Sequence, residues 1–110
     1  MQTHYQQKKG DTGPPLDLVL YEGATPADLT TASTVRLLVK SEAGTLKVNA
    51  LCTITGAPTG GTVRYAWQAA DTDTVGRYRA ELQVTYADGT IVTYPKRGYL
   101  TIDVVEDLGP

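Results

Sequence analysis

Residues Val63–Tyr99 read VRYAWQAADTDTVGRYRAELQVTYADGTIVTYPKRGY. Val63, Tyr65 and Trp67 sit two apart, so a strand over Thr62–Trp67 carries all three on one face. Gln68–Val75 is polar, small and irregular, with a short helical turn expected near Ala69-Ala70-Asp71. From Gly76 the alternation is strict. Tyr78, Ala80, Leu82, Val84 and Tyr86 face inward, while Arg77, Arg79, Glu81, Gln83 and Thr85 face water. Asp88-Gly89 is a two-residue hairpin signal, and it predicts Tyr86 opposite Ile91 and Val84 opposite Thr93. Trp67, Tyr78, Leu82 and Val84 are the expected core. This order of strand, acidic corner, strand and hairpin is one half of a two-layer β-sandwich.

Outward from that run the same period persists. Leu16–Tyr21 puts Leu16, Leu18 and Leu20 on one face, and Ser33–Ser41 does so with Val35, Leu37 and Val39. Leu38 breaks the second pattern. A turn at Glu42-Ala43-Gly44 leads into one long expected strand, Thr45–Thr55, with Leu46, Val48, Ala50, Cys52 and Ile54 inward. Gly56–Gly61 is a loop by composition, and Asp28-Leu29-Thr30 could make a single helical turn. The last strand, Tyr99–Val105, carries Leu100, Ile102 and Val104. Strands spaced by about 8–12 residues, with turn residues between them, predict a sandwich of about seven strands. The expected fold class is an all-β, immunoglobulin-like antiparallel β-sandwich. Residues 1–13 form an N-terminal arm or an edge strand, 14–105 the sandwich, and 106–110 a flexible acidic tail.

At 110 residues the chain is one domain, large enough to form a core without covalent staples. Its single cysteine, Cys52, cannot form an internal disulfide. A net charge of −2 lacks the basic excess of a nucleic-acid binder. Lys8-Lys9, Arg77/Arg79 and Lys96-Arg97 are the basic clusters; solvated surface is the plainer reading, a basic rim for a partner the alternative. No apolar run approaches the ~20 residues that cross a bilayer, and the polar start MQTHYQQKKG has no signal-peptide core.

Reacting groups are scarce. His4 is the one histidine and lies on a polar terminal segment with no orienting acid beside it in sequence, so a catalytic triad has no base. One histidine and one cysteine on different elements cannot close a zinc shell. Asp71 and Asp73 lack the third acid and distal glutamate of a calcium loop, and fit turn capping better. Gly56–Gly61 leads into a strand and carries no lysine, unlike a phosphate cradle. Trp67 shares parity with Val63 and Tyr65 and reads as core filler rather than a sugar-stacking platform. Tyr78, after Asp73 and Gly76, resembles a tyrosine corner, whose hydroxyl ties a loop to the strand. No catalytic residue, metal or cofactor is expected.

Lys9-Gly10-Asp11-Thr12-Gly13-Pro14-Pro15, then Asp28-Leu29-Thr30 and Ser33-Thr34-Val35-Arg36, resemble the opening of the N-terminal domain of upper baseplate proteins of tailed bacteriophages. Gly61–Trp67, Asp71-Thr72, Gly76-Arg77-Tyr78, Tyr86–Thr90, Tyr94-Pro95 and Gly98-Tyr99 continue the likeness in order and spacing, from about Gln7 to Leu108. The resemblance implies an immunoglobulin-like virion adaptor that docks on the tail or baseplate core, while a downstream region carries receptor binding. This sequence stops at Pro110, so a free-standing copy would be a small tail accessory, a head–tail joining component or a capsid decoration protein.

The expected protein is therefore a non-enzymatic virion structural module, synthesised and assembled in the host bacterial cytoplasm. Its partners are other virion proteins and copies of itself in a symmetric assembly, with no nucleic acid and no membrane. The contact surface is expected at Tyr5, Gln6, Gln7, Lys8 and Lys9, and at Tyr94, Lys96, Arg97 and Tyr99, from exposure and aromatic–basic composition. A carbohydrate-binding module is the alternative of another class, and it requires Trp67 or a row of tyrosines in the open.

Overall fold

The computed structural model describes residues 3–108. Its strands are β1 (His4–Lys8), β2 (Leu16–Val19), β3 (Tyr21–Glu22), β4 (Thr25–Pro26), β5 (Ala32–Ser41), β6 (Leu46–Leu51), β7 (Thr53–Ile54), β8 (Thr62–Tyr65), β9 (Gly76–Tyr86), β10 (Ile91–Tyr94) and β11 (Leu100–Val105). The larger sheet runs β1-β11-β9-β5-β6, with β10 also on β9; the smaller is β2-β8-β7, and β3-β4 is a separate ribbon. Valines, leucines and tyrosines at alternate positions line the facing sides, as a half-buried strand requires. Leu16, Leu18, Val63 and Tyr65 from the smaller sheet meet Leu37, Leu82, Val84, Leu100 and Ile102 from the larger one. Trp67, Tyr78, Leu82 and Val84 are all buried. The chain is an all-β sandwich.

β1 stands at one edge of the larger sheet. β1 lies parallel to β11, with Tyr5 opposite Ile102 and Gln7 opposite Val104, so the larger sheet is mixed rather than purely antiparallel. The chain between β1 and β2 is pinned across the end of the sandwich. The Gly10 N–H donates to the Thr72 carbonyl at 2.9 Å, the Thr72 hydroxyl donates to the Asp11 carbonyl at 3.1 Å, and the Gln7 amide donates to the carbonyls of Asp11 and Gly13. Gln7 is thereby turned inward and buried, which corrects its expected place on a contact surface. Met1, Gln2, Gly109 and Pro110 lie outside the described residues, so the ends of the expected arm and tail do too.

The β9–β10 hairpin is one residue longer than expected. The Gly89 N–H donates to the Tyr86 carbonyl at 2.9 Å and the Tyr86 N–H to the Thr90 carbonyl at 2.8 Å. The loop is therefore Ala87-Asp88-Gly89, with Gly89 left-handed at φ 89°, the usual form of a three-residue hairpin. Val92 consequently stands opposite Val84 and Tyr94 opposite Leu82. A one-residue slip exchanges the two faces of a strand. Ile91 now points to solvent, and Tyr94 is completely buried.

The expected long strand Thr45–Thr55 is divided between the sheets. β6 pairs with β5 in the larger sheet and β7 with β8 in the smaller, with Cys52 at the crossing. A bulge sets Leu46 and Lys47 against Lys40, which puts Leu46 outside rather than in the core. The helical turn expected near Ala69-Ala70-Asp71 is present as a 3₁₀ turn, Ala69–Thr72, capped by Asp71, whereas Asp28 makes an Asx turn instead, its carboxylate accepting from the Thr30 N–H at 2.9 Å.

Candidate interaction surface

The outer face of the larger sheet collects the polar-parity residues of four strands. Across β9, β5 and β6 the rows are Arg79, Lys40 and Leu46, then Glu81, Leu38 and Asn49, then Gln83, Arg36 and Leu51. Tyr99, just before β11, lies beside the first row, with the Arg79 guanidinium 5.3 Å above its ring. The first row, Leu38 and Glu81 of the second, Tyr99, and Ser41, Glu42 and Gly44 of the adjoining turn line a shallow recess of about 480 Å³. Leu46, Leu51 and Tyr99 are about half exposed. Lys40 and Arg79 face one another across β5 and β9, where like charges directly opposite destabilise a sheet.

Other charges are paired, on this sheet and on the smaller one. Asp103 on β11 accepts from Arg77 at 2.9 Å and from His4 at 2.7 Å, and these bonds, Arg77 first, hold its carboxyl below the ordinary 3.8. His4 is thus tied to an acid, contrary to the sequence expectation, but on an open sheet face shared with a guanidinium. Lys47 pairs with Asp73, and Arg64 with Asp17 through two bonds.

The second expected contact region is divided by burial. Lys96, Arg97 and Tyr99 are exposed. Tyr94 is not, because the hairpin slip put it in the core; its hydroxyl donates to Glu22 at 2.7 Å, and Lys96 reaches the other Glu22 oxygen at 3.3 Å. At the N-terminal edge Gln6, Lys8 and Lys9 are exposed and Tyr5 is half-buried. Lys40 and Leu46 were not singled out as a surface in sequence, and Arg79 was named only within the Arg77/Arg79 basic cluster. The available signal was Leu38, a leucine on the polar parity of its strand.

The inner residues show no reactive arrangement. The Tyr78 hydroxyl donates to the Thr74 carbonyl at 2.7 Å, tying the acidic corner to β9. Asp71 accepts from the Tyr65 hydroxyl and from the Gln68 N–H, while Asp73 turns away to Lys47. Among the described residues no three His, Cys, Asp or Glu side chains converge to hold a metal ion. Cys52 is half-buried, and burial pushes its thiol up to about 11, away from the reactive range. Trp67 is buried edge-on to Tyr65, with ring centroids 5.4 Å apart, so a sugar-stacking face at Trp67 is not offered. A second groove of about 340 Å³ runs along the seam between β1 and β2, between Tyr5, Pro14, Pro15 and Trp67. No helix among the described residues is long and apolar enough to cross a membrane.

Among solved structures the chain is similar to CopC from Methylosinus trichosporium OB3b, with a TM-score of 0.59 and 14% identity over 99% of this chain and 90% of that one. At that identity the likeness concerns the fold alone. No curated protein matches the chain by sequence. A family profile, the BppU N-terminal domain, matches residues 2–95, ending just before β11, the strand that joins β1 to β9. The chain belongs to the BppU N-terminal domain family, the N-terminal domains of phage baseplate upper proteins.

Proposed function

We propose that this chain is a non-enzymatic, immunoglobulin-like adaptor or attachment module of a phage tail or baseplate. Family membership over residues 2–95 carries that reading. The surface chemistry supports it: the polar and charged residues are outside, and the aromatic rings that could hold a ligand are mostly core. Docking uses exposed edges and loops, at Gln6, Lys8 and Lys9 on one side and Lys96, Arg97 and Tyr99 on the other. Repetition on a symmetric lattice lets each contact be modest, since linked contacts multiply.

The test is a deletion of the gene in its parent phage, complemented in trans. Mass spectrometry of purified particles should find the protein, and electron microscopy should place its density at the baseplate. Complementation with Lys96→Glu/Arg97→Glu should lower its incorporation about tenfold, as reversal of rim charges does. Density on the capsid would favour a decoration role. Particles that are intact and infectious without the protein would overturn the proposal.

A further inference from the structure

Two features of the outer face are left incomplete within a single copy, although the Arg79 guanidinium lies over the Tyr99 ring. Lys40 and Arg79 are opposed on neighbouring strands, and neither has an ion-pair partner among the described residues. They form the floor of an open recess whose apolar walls are Leu38, Leu46 and Tyr99. At the end of β11 the chain leaves the sheet as Glu106-Asp107-Leu108. Glu106 is exposed, and Leu108 is entirely in solvent (105% relative exposure), so it does not occupy the recess of its own chain.

We infer that the recess receives the Glu106–Leu108 segment of a second copy of this chain. The chemistry is complementary: a carboxylate for a cation pair, and an aliphatic side chain for an apolar hollow. The spacing also agrees. In an extended segment Glu106 and Leu108 project on the same side, about 7 Å apart. The row of Lys40 and Arg79 is separated from the row of Leu38 by the same two-residue step along β5 and β9. The Glu106 carboxylate settles between Lys40 Nζ and the Arg79 guanidinium, and Leu108 lies on Leu38 between Leu46 and Tyr99. Glu81 and Glu42 also line the recess. Glu81 lies in the Leu38 row and Glu42 in the turn, and neither makes an ion pair with Lys40 or Arg79. The anion supplied by the neighbour relieves the repulsion between Lys40 and Arg79. Donor segment and acceptor recess are different surfaces, so every copy offers both, and the contact is heterologous: it builds rings or open chains rather than a closed pair.

The experiment uses the full chain without a C-terminal tag. Sedimentation as the protein is raised towards about 1 mM, the affinity range of a weak contact, should show mass growing past a dimer. Arg79→Glu and Leu108→Ser, both at exposed positions, should each weaken that association about tenfold, with unchanged circular dichroism. Arg79→Glu combined with Glu106→Arg should restore it. A peptide covering residues 104–108 should shift the amide resonances of Leu38, Lys40, Leu46 and Arg79 in the wild-type protein. A chain that stays monomeric, association that ignores all three variants, or peptide shifts confined to other regions would each overturn the inference. These results are independent of particle incorporation, so the two proposals can fail separately.

Discussion

Gly61 is where three segments meet, and its hydrogen atom occupies space that no side chain can share. Its carbonyl accepts the Leu20 N–H at 2.8 Å, its φ is +68°, and a Cβ placed on it would lie 2.6 Å from the Leu20 carbonyl oxygen. Gly61→Ala therefore meets both a left-handed backbone and a backbone clash, and should lower stability by at least about 2 kcal/mol in denaturant titration. A loss under about 0.5 kcal/mol would mean that Leu20 and Ala27 move aside freely. In sequence Gly61 is one glycine among several in a loop, because its constraint comes from the backbone at Leu20 and Ala27, distant in the chain. Tyr78 is the contrary case. Its place after an acidic corner and at the start of an alternating strand made its hydrogen bond to Thr74 legible, since both partners lie within one turn. Tyr94 fell between: its residue type suited a wet, half-buried ring, but its face depended on a loop length one residue away from the expected value.

Strands with unbroken alternation were readable because the period of two is local, and β9 and β11 lie where the pattern puts them. Three features depended on non-local pairing and were not: the parallel edge strand β1, the transfer of β6 into β7 through Cys52, and the register of β10. The last turns on Gly89, whose added Cβ would meet nothing within 4 Å, so its requirement is purely conformational. Gly89→Ala should cost about 1 kcal/mol and lower the melting temperature by about 5 °C. The contrast with Gly61→Ala separates a strained turn from a strained turn that is also packed. If Gly89→Ala cost as much as Gly61→Ala, the hairpin would have to be repacking, and the Tyr94 burial that depends on its register would be in question. The recess was illegible for the same reason as the register: Leu38, Leu46, Arg79 and Tyr99 come from four separate segments, and only the bulge at Lys47 turns Leu46 outward.

For the molecule as a whole, the titrating groups set a stability plateau whose two ends differ. On the acid side Asp17, Asp73 and Asp103 are held below their ordinary 3.8, and Glu22 below 4.5, first by hydrogen bonds from Arg64, Lys47, Arg77 and Tyr94 respectively. A carboxyl depressed in the folded state stabilises above its unfolded pKa and loses that contribution as pH falls, so the decline begins near pH 4. These groups are at the surface, where screening keeps such contributions small. On the alkaline side the groups are inside. Burial raises Cys52 from 9.0 to about 11; burial first, then Asp71, raises Tyr65 above its ordinary 10.0; burial, then Tyr86 and Glu22, raise Tyr94. A raised acid favours the fold below its unfolded pKa and loses that favour as pH rises through the folded one. Stability should therefore be level from about pH 5 to 9, decline gently below, and fall more steeply above. Urea unfolding measured from pH 3 to 11 would show this asymmetry. Cys52→Ala should move the alkaline onset from near pH 9 to near pH 10, the ordinary tyrosine value, because the phenols then titrate first. Tyr94→Phe should make the alkaline limb shallower while lowering the plateau, since it removes a phenolate that would otherwise form 2.7 Å from the Glu22 carboxylate, together with the hydrogen bond itself. An alkaline limb unchanged in both variants would mean that neither side chain is buried in the folded state, and the inward position given to Tyr94 by the three-residue hairpin would fail with it.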